Sequence, residues 1–220
     1  MEKRKKEIYT LVYGDLFSSR KLSNRSETSS RFGTILKKAN SHFKDKLIVP
    51  LKKMRGIDEI AAIPKRLSDS FEICRTLNEE LFPLRIRFVI TQGEIETGLR
   101  KRDIAEMGGQ IFHDAGDLMT RLKKIDKYYI FNLYFASDSF NLAVTAFAHL
   151  IANWGYSRTE SQNAILKLYR RYGKQKRAAQ KLGISQQAVS DSLKASGFND
   201  IRFAEEALIS LLREYDILKE

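Results

Sequence analysis

The 220-residue chain has one cysteine, three prolines and three histidines. A single cysteine excludes an internal disulfide framework and any cysteine-rich zinc site. His42, His113 and His149 are scattered, so no histidine cluster points to a metal. No stretch reads as a membrane span. The opening Met1-Glu-Lys-Arg-Lys-Lys-Glu7 has no apolar core behind it that would act as a signal peptide. A reduced, cytoplasmic setting without a membrane partner is therefore expected. There is no internal repeat and no Gly/Ser linker.

Positive charge, by contrast, is abundant. The 39 Lys and Arg outnumber the 27 Asp and Glu, for a net charge of +12 and a pI near 9.7. Such a balance points to an acidic partner, above all nucleic acid.

The chain divides by pattern. Residues 7–135 alternate strand-like and helix-like segments, and residues 157–218 are helical in pattern. Between them lies an apolar run, 137–154, without a Lys or Arg. Ile8-Tyr-Thr-Leu-Val-Tyr-Gly-Asp-Leu16 suits a buried strand. In the following helix Phe32, Ile35, Leu36, Ala39 and Phe43 share one face. Residues 47–51 and 59–63 read as a hairpin turning through 54–58. A second helix, 67–81, has Phe71, Cys74, Leu77 and Leu81 at core spacing and stops at Pro83. The alternating segment 84–90 is a strand. The order β-α-β-β-α-β is the split arrangement of ferredoxin-like folds. A helix at 109–124 and a strand at 127–135 extend it.

The C-terminal segment carries a helix-turn-helix pattern. Ser157-Arg-Thr-Glu160 reads as a capping box, and Ile165, Leu168, Tyr169 and Tyr172 share a helical face. In the stretch that follows, Ala179 allows two helices to cross closely. Gly183 suits a left-handed turn, and Ser185 suits a helix cap. Leu182, Ile184, Val189 and Leu193 are expected to point inward and fix the interhelical angle. The outer face of the second helix is then free to enter a major groove. This stretch resembles the helix-turn-helix of phage repressor and Cro-like proteins over some twenty residues. A helical hairpin used for protein contacts has the same pattern. Between Asn163 and Ala195 there are eight basic residues and one acidic residue, which favours duplex DNA as the partner.

Roles follow from that geometry. Ser185, Gln186, Gln187, Ser190, Asp191 and Lys194 lie on the open face of the second helix. Gln186 and Gln187 are the candidates for base edges, because an amide can pair bidentately with adenine. Arg170, Arg171, Lys174, Lys176 and Arg177 are expected to hold phosphates. Asp191 would repel phosphate, but it can accept from a cytosine amino group or cap locally. A further amphipathic helix at 203–212 either closes the helical domain or pairs with its copy in a dimer.

Four segments earlier in the chain carry a wider resemblance. They are Tyr13-Gly-Asp-Leu-Phe-Ser-Ser-Arg20, Gly56-Ile-Asp-Glu-Ile60, Arg85-Ile-Arg-Phe-Val-Ile-Thr-Gln-Gly-Glu-Ile95 and Gly108-Gly-Gln-Ile-Phe-His-Asp-Ala-Gly-Asp-Leu118. Together with the C-terminal pattern they resemble the SatD family, proteins with a cyclase-like N-terminal domain and a C-terminal helix-turn-helix. More distantly they are similar to class III nucleotide cyclases. That likeness implies two metal-binding aspartates, at Asp15 and Asp58, and with them magnesium and a nucleotide. An aspartate at a strand end or in a turn also commonly bonds nearby backbone N–H groups. His113 and Asp117 stand where cyclases offer an Asn and an Arg to the nucleotide, and an aspartate there would repel a triphosphate. The turn also has an extra residue, Ile57.

The fold expected is α+β. A ferredoxin-like, nucleotide-cyclase-like domain spans 1–136, a connecting helix 137–156 and an all-α helix-turn-helix DNA-binding domain 157–220. The expected function is transcriptional regulation by a homodimer. Its first domain would be non-enzymatic, and would sense a small molecule or nucleotide or pair two chains. The competing reading is a metal-dependent nucleotide-binding or nucleotide-processing protein that uses Asp15 and Asp58.

Overall fold

The computed structural model describes residues 7–17, 25–54 and 58–219. Residues 18–20 of the first quoted segment, and Gly56 and Ile57 of the turn, lie outside them. In chain order the elements are β1 (Ile8–Leu16), α1 (Arg25–His42), β2 (Leu47–Lys53), β3 (Glu59–Pro64), α2 (Leu67–Leu81), β4 (Ile86–Glu94), α3 (Gln110–Lys124), β5 (Tyr129–Asn132), α4 (Asp138–Tyr156), α5 (Glu160–Tyr172), α6 (Gln175–Leu182), α7 (Gln186–Ala195) and α8 (Phe198–Lys219). Short 3-10 turns precede β2 and α3.

The five strands form one mixed sheet in the order β2-β3-β1-β4-β5. β1 runs antiparallel to β3 and β4, β2 antiparallel to β3, and β5 parallel to β4. The first four strands thus carry the split order expected from the pattern. Successive side chains of a strand point to opposite faces. Val12, Ile60, Phe88 and Ile90 pack on one face with α1, α2, α4 and α8, among them Phe32, Phe71, Val144 and Leu208. Leu11, Ala61, Val89 and Ile130 pack on the other with Ile111, Ala115, Met119 and Leu122 of α3. Helices cover both faces, so the inner strands read as nearly continuous apolar runs.

β5 is shorter than its aromatic run. The N–H groups of Leu133, Tyr134 and Phe135 donate to Asn141 Oδ1 (2.9 Å), Gln92 Oε1 (3.2 Å) and Tyr215 Oη (3.0 Å) instead of continuing the ladder. Tyr134 and Phe135 turn out to solvent.

The helix expected as a connector is a core element. α4 buries Val144, Ala148, Ile151 and Ala152 in the cluster on the α1–α2 face of the sheet. α8 begins earlier and ends later than the expected 203–212, and Phe203 is 74% exposed. Its buried stripe is Ile201, Glu205, Leu208, Leu212 and Tyr215. The Asp216 carboxylate accepts from the N–H groups of Leu67 and Ser68 at 3.0 Å, so α8 caps the first turn of α2. A division at residue 156 therefore runs through a shared core.

α7 and α8 join at Gly197, which has φ +61°. A Cβ there would stand 2.3 Å from Cζ2 of Trp154 on α4. Gly183, between α6 and α7, has φ +67° and open space around it. Gly183→Ala should lose only the backbone term, roughly 1–2 kcal/mol. Gly197→Ala should lose that and displace the Trp154 ring, adding about 1–3 kcal/mol. Urea unfolding of the two variants checks the order, and equal losses would contradict the Trp154 contact.

Candidate functional site

The turn sequence α5–α6–α7 is built by local rules. Thr159 caps α5: its hydroxyl accepts from Gln162 N–H (3.2 Å), and its own N–H donates to Gln162 Oε1 (2.9 Å). The capping box thus lies two residues beyond the expected one, because the Ser157 hydroxyl donates back to Trp154 O (2.7 Å). Gly173 ends α5 and Gly183 ends α6, both left-handed. Ser185 caps α7, its hydroxyl accepting from Ala188 N–H at 3.0 Å. Ile165, Leu166, Ala178, Ala179, Val189, Leu193 and Phe198 form a small core of their own. Ala179, Val189 and Leu193 take the inward positions expected of them, and Leu182 packs at the margin. Ile184 does not point inward, being 40% exposed.

Outside this core, Ser185, Gln186, Gln187, Asp191 and Lys194 are exposed and Ser190 is half-buried. Gln187 Nε2 donates to Asp191 Oδ1 at 2.8 Å, one helical turn away. Asp191 is thus a local partner that holds the amide. Arg171, Lys174, Lys176 and Arg177 are exposed, and among the described residues none of them is in an ion pair.

Arg170 has to be withdrawn from the phosphate-binding set. Its side chain is 19% exposed. Its Nη2 donates to both Glu205 oxygens at 2.8 Å, and its Nε lies 3.0 Å from Glu79 Oε1. A guanidinium committed to two carboxylates has little left to offer a phosphate. Lys167 is likewise paired, with Glu80 at 2.7 Å. Sequence reasoning missed Glu205, although a charged residue in the apolar stripe of α8 was a signal that it is paired inside.

Asp15 and Asp58 come together at the end of β1, where Leu16 N–H donates to the Asp58 carbonyl at 3.0 Å. The Asp15 carboxylate is 7% exposed and receives Lys123 Nζ of α3 at 2.8 Å. The ammonium stands against the carboxylate where a divalent cation would have to bind. Among the described residues no group of three or more His, Cys, Asp or Glu could hold a metal. Lys123 thus engages one of the two carboxylates. His113 and Asp117 are exposed on α3. Cys74 is fully buried, and burial pushes its thiol well above the usual range, as an inert core thiol requires.

Burial raises the Asp15 carboxyl above the ordinary carboxylate value. Lys123 opposes that rise, and Asp58 and Glu59 add to it. A carboxyl raised by folding weakens the folded state once it ionises. That cost disappears as the pH falls below the unfolded value of about 4. Asp15→Asn should therefore raise the thermal midpoint at pH 7, with the gain fading towards pH 4. A variant less stable than the parent at pH 7 would mean that the Lys123 pair outweighs burial.

The chain matches the SatD family over residues 9–208. Comparison with curated proteins gives no match. Among solved structures it is similar to a bacterial light-regulated adenylyl cyclase at 14% identity, with a TM-score of 0.39 over 58% of this chain and 43% of that one. The chain thus spans less than half the length of that protein. A second structure of a bacterial light-regulated adenylyl cyclase is 13% identical, with a TM-score of 0.37 over 56% of this chain and 74% of the other. The adenylyl cyclase CyaB from P. aeruginosa is 12% identical, with a TM-score of 0.38 over 53% and 73%. The family match runs from β1 to the middle of α8, taking in the sheet and the helices α5–α7, and the chain belongs to the SatD family.

Proposed function

We propose that this protein binds duplex DNA through α7 and acts as a transcriptional regulator. The observation that carries the reading is the contrast in how its cations are used. Arg170 and Lys167 are tied to carboxylates, whereas Arg171, Lys174, Lys176 and Arg177, from the end of α5 to the first turn of α6, are exposed and without ion pairs among the described residues. In this reading these four neutralise phosphates and release counterions, which supplies affinity without sequence information.

α7 supplies the sequence reading. Val189 and Leu193 anchor it, and Ser185, Gln186, Gln187, Ser190 and Lys194 face the groove. The hydrogen bond from Gln187 to Asp191 fixes the amide before DNA arrives. Less side-chain freedom is then lost on contact. Two copies would read two half-sites, with the sheet domain serving as a dimerisation or sensing scaffold. Lys123 against Asp15 weighs against the metal-dependent nucleotide reading.

The test is binding of the purified protein to a random duplex pool at several salt concentrations, with sequencing of the bound fraction. An enriched palindromic site is expected, and no binding at low salt would overturn the reading. Gln187→Ala should reduce discrimination between the selected site and a mismatched one by about 1–3 kcal/mol. Arg171→Ala should weaken binding to all sequences alike and reduce the salt slope by about one. An unchanged slope would remove Arg171 from the phosphate contacts.

A further inference from the structure

A small cavity lies where α2, α5, α8 and the junction of α4 with α5 meet. Its volume is about 30 Å³, and Phe71, Arg75, Tyr129, Arg158, Asn163 and Glu205 are among its lining residues. Two of the arginines nearby are balanced. Arg75 lies 3.4 Å from Glu79 and 3.9 Å from Glu205, and Arg170 holds the same two carboxylates. Arg158 is a third guanidinium in this cluster, and Glu79 and Glu205 act on it only at a distance, without an ion pair among the described residues. It is 8% exposed, and among the described residues it makes no hydrogen bond or ion pair. Its Nε is sealed from solvent without a hydrogen-bond partner, as are Asn163 Oδ1 and the Nε atoms of Arg75 and Arg170, which face carboxylates.

A buried, unpaired cation is costly, and a structure that keeps one generally supplies a counter-charge. We propose that the cavity binds a small monovalent anion, of the size of chloride or formate, on the Arg158 guanidinium. The orphaned Arg158 Nε donor matches an anion's acceptor. The volume admits about two water-sized groups and excludes a nucleotide or any larger metabolite. Burial and the neighbouring Arg170 pull the Arg158 guanidinium below its ordinary value, against the attraction of Glu79. A bound anion acts in the opposite direction. The anion would touch α2 through Arg75 and the α4–α5 junction through Arg158. It would therefore tie the helical part to the sheet layer, whether or not the protein binds DNA.

The test is thermal unfolding of the full chain at fixed ionic strength. Sodium gluconate, too large to enter, is replaced stepwise by sodium chloride or sodium formate. The midpoint is expected to rise and saturate with chloride, formate or both, as a site specific to the folded state requires. Arg158→Met should lose that rise, whereas Arg213→Met, at an exposed position of α8, should keep it. Equal midpoints in all three salts would overturn the proposal and leave water as the occupant. An undiminished rise in Arg158→Met would overturn it as well. If Arg158→Met does not fold, the salt series on the parent protein decides alone.

Discussion

Glu205 sits on the apolar stripe of α8 at 4% exposure, where an unpaired carboxylate could not remain ionised without a large desolvation cost. Two hydrogen bonds from Arg170 of α5 and the nearby Arg75 of α2 make that position tenable. Three helices are thereby registered on one carboxylate. Such a cluster need not stabilise more than an apolar replacement would. Removing a single member, however, leaves a buried charge and costs about 3–5 kcal/mol. The cluster sets geometry: it holds α5 against α2 and α8 through one carboxylate.

The same constraint sorts the basic residues. With a net charge of +12, the chain has more cations than its carboxylates can engage. The interior takes Arg75 and Arg170, and the surface keeps Arg171, Lys174, Lys176 and Arg177. Local charge density along the sequence does not separate the two sets. What separates them is the partner, and Glu205 follows Arg170 by 35 residues.

Legibility of the sequence follows the range of the interaction responsible. α2 begins and ends where its apolar spacing places it, and β1 does likewise. The glycine and serine at the α6–α7 turn take the conformations their chemistry favours. These are decisions made within one or two turns of chain. The capping box was ambiguous at that range, since Ser157 and Thr159 each have Glu or Gln three residues on. Only the bond of Ser157 to Trp154 O resolves it. The end of β5 was not legible, because the groups that take its N–H donors come from β4, α4 and α8. Lys123 against Asp15 was equally hidden, with 108 residues between them. The capping and packing of α7 are thus local, whereas Arg170 and Asp15 have distant partners that change what the side chain can do.

The shared core also limits how a signal could reach α7. A ligand shifts an equilibrium only by binding two states differently, and the two states must both be well packed. Hinging between independent domains at residue 156 would expose Val144, Ala148 and Ile151 of α4 and leave the first turn of α2 without its Asp216 cap. The α5–α7 unit, by contrast, packs on an apolar cluster that it shares only with Phe198 at the start of α8, and its other links to the sheet layer are polar: Lys167 with Glu80, Asn163 Nδ2 with Glu79 O, and the Arg170–Glu205 pair. Polar contacts can exchange partners within short distances, whereas packed apolar faces resist sliding. Any regulation of α7 has therefore to act at this polar seam rather than by separating an N-terminal from a C-terminal domain.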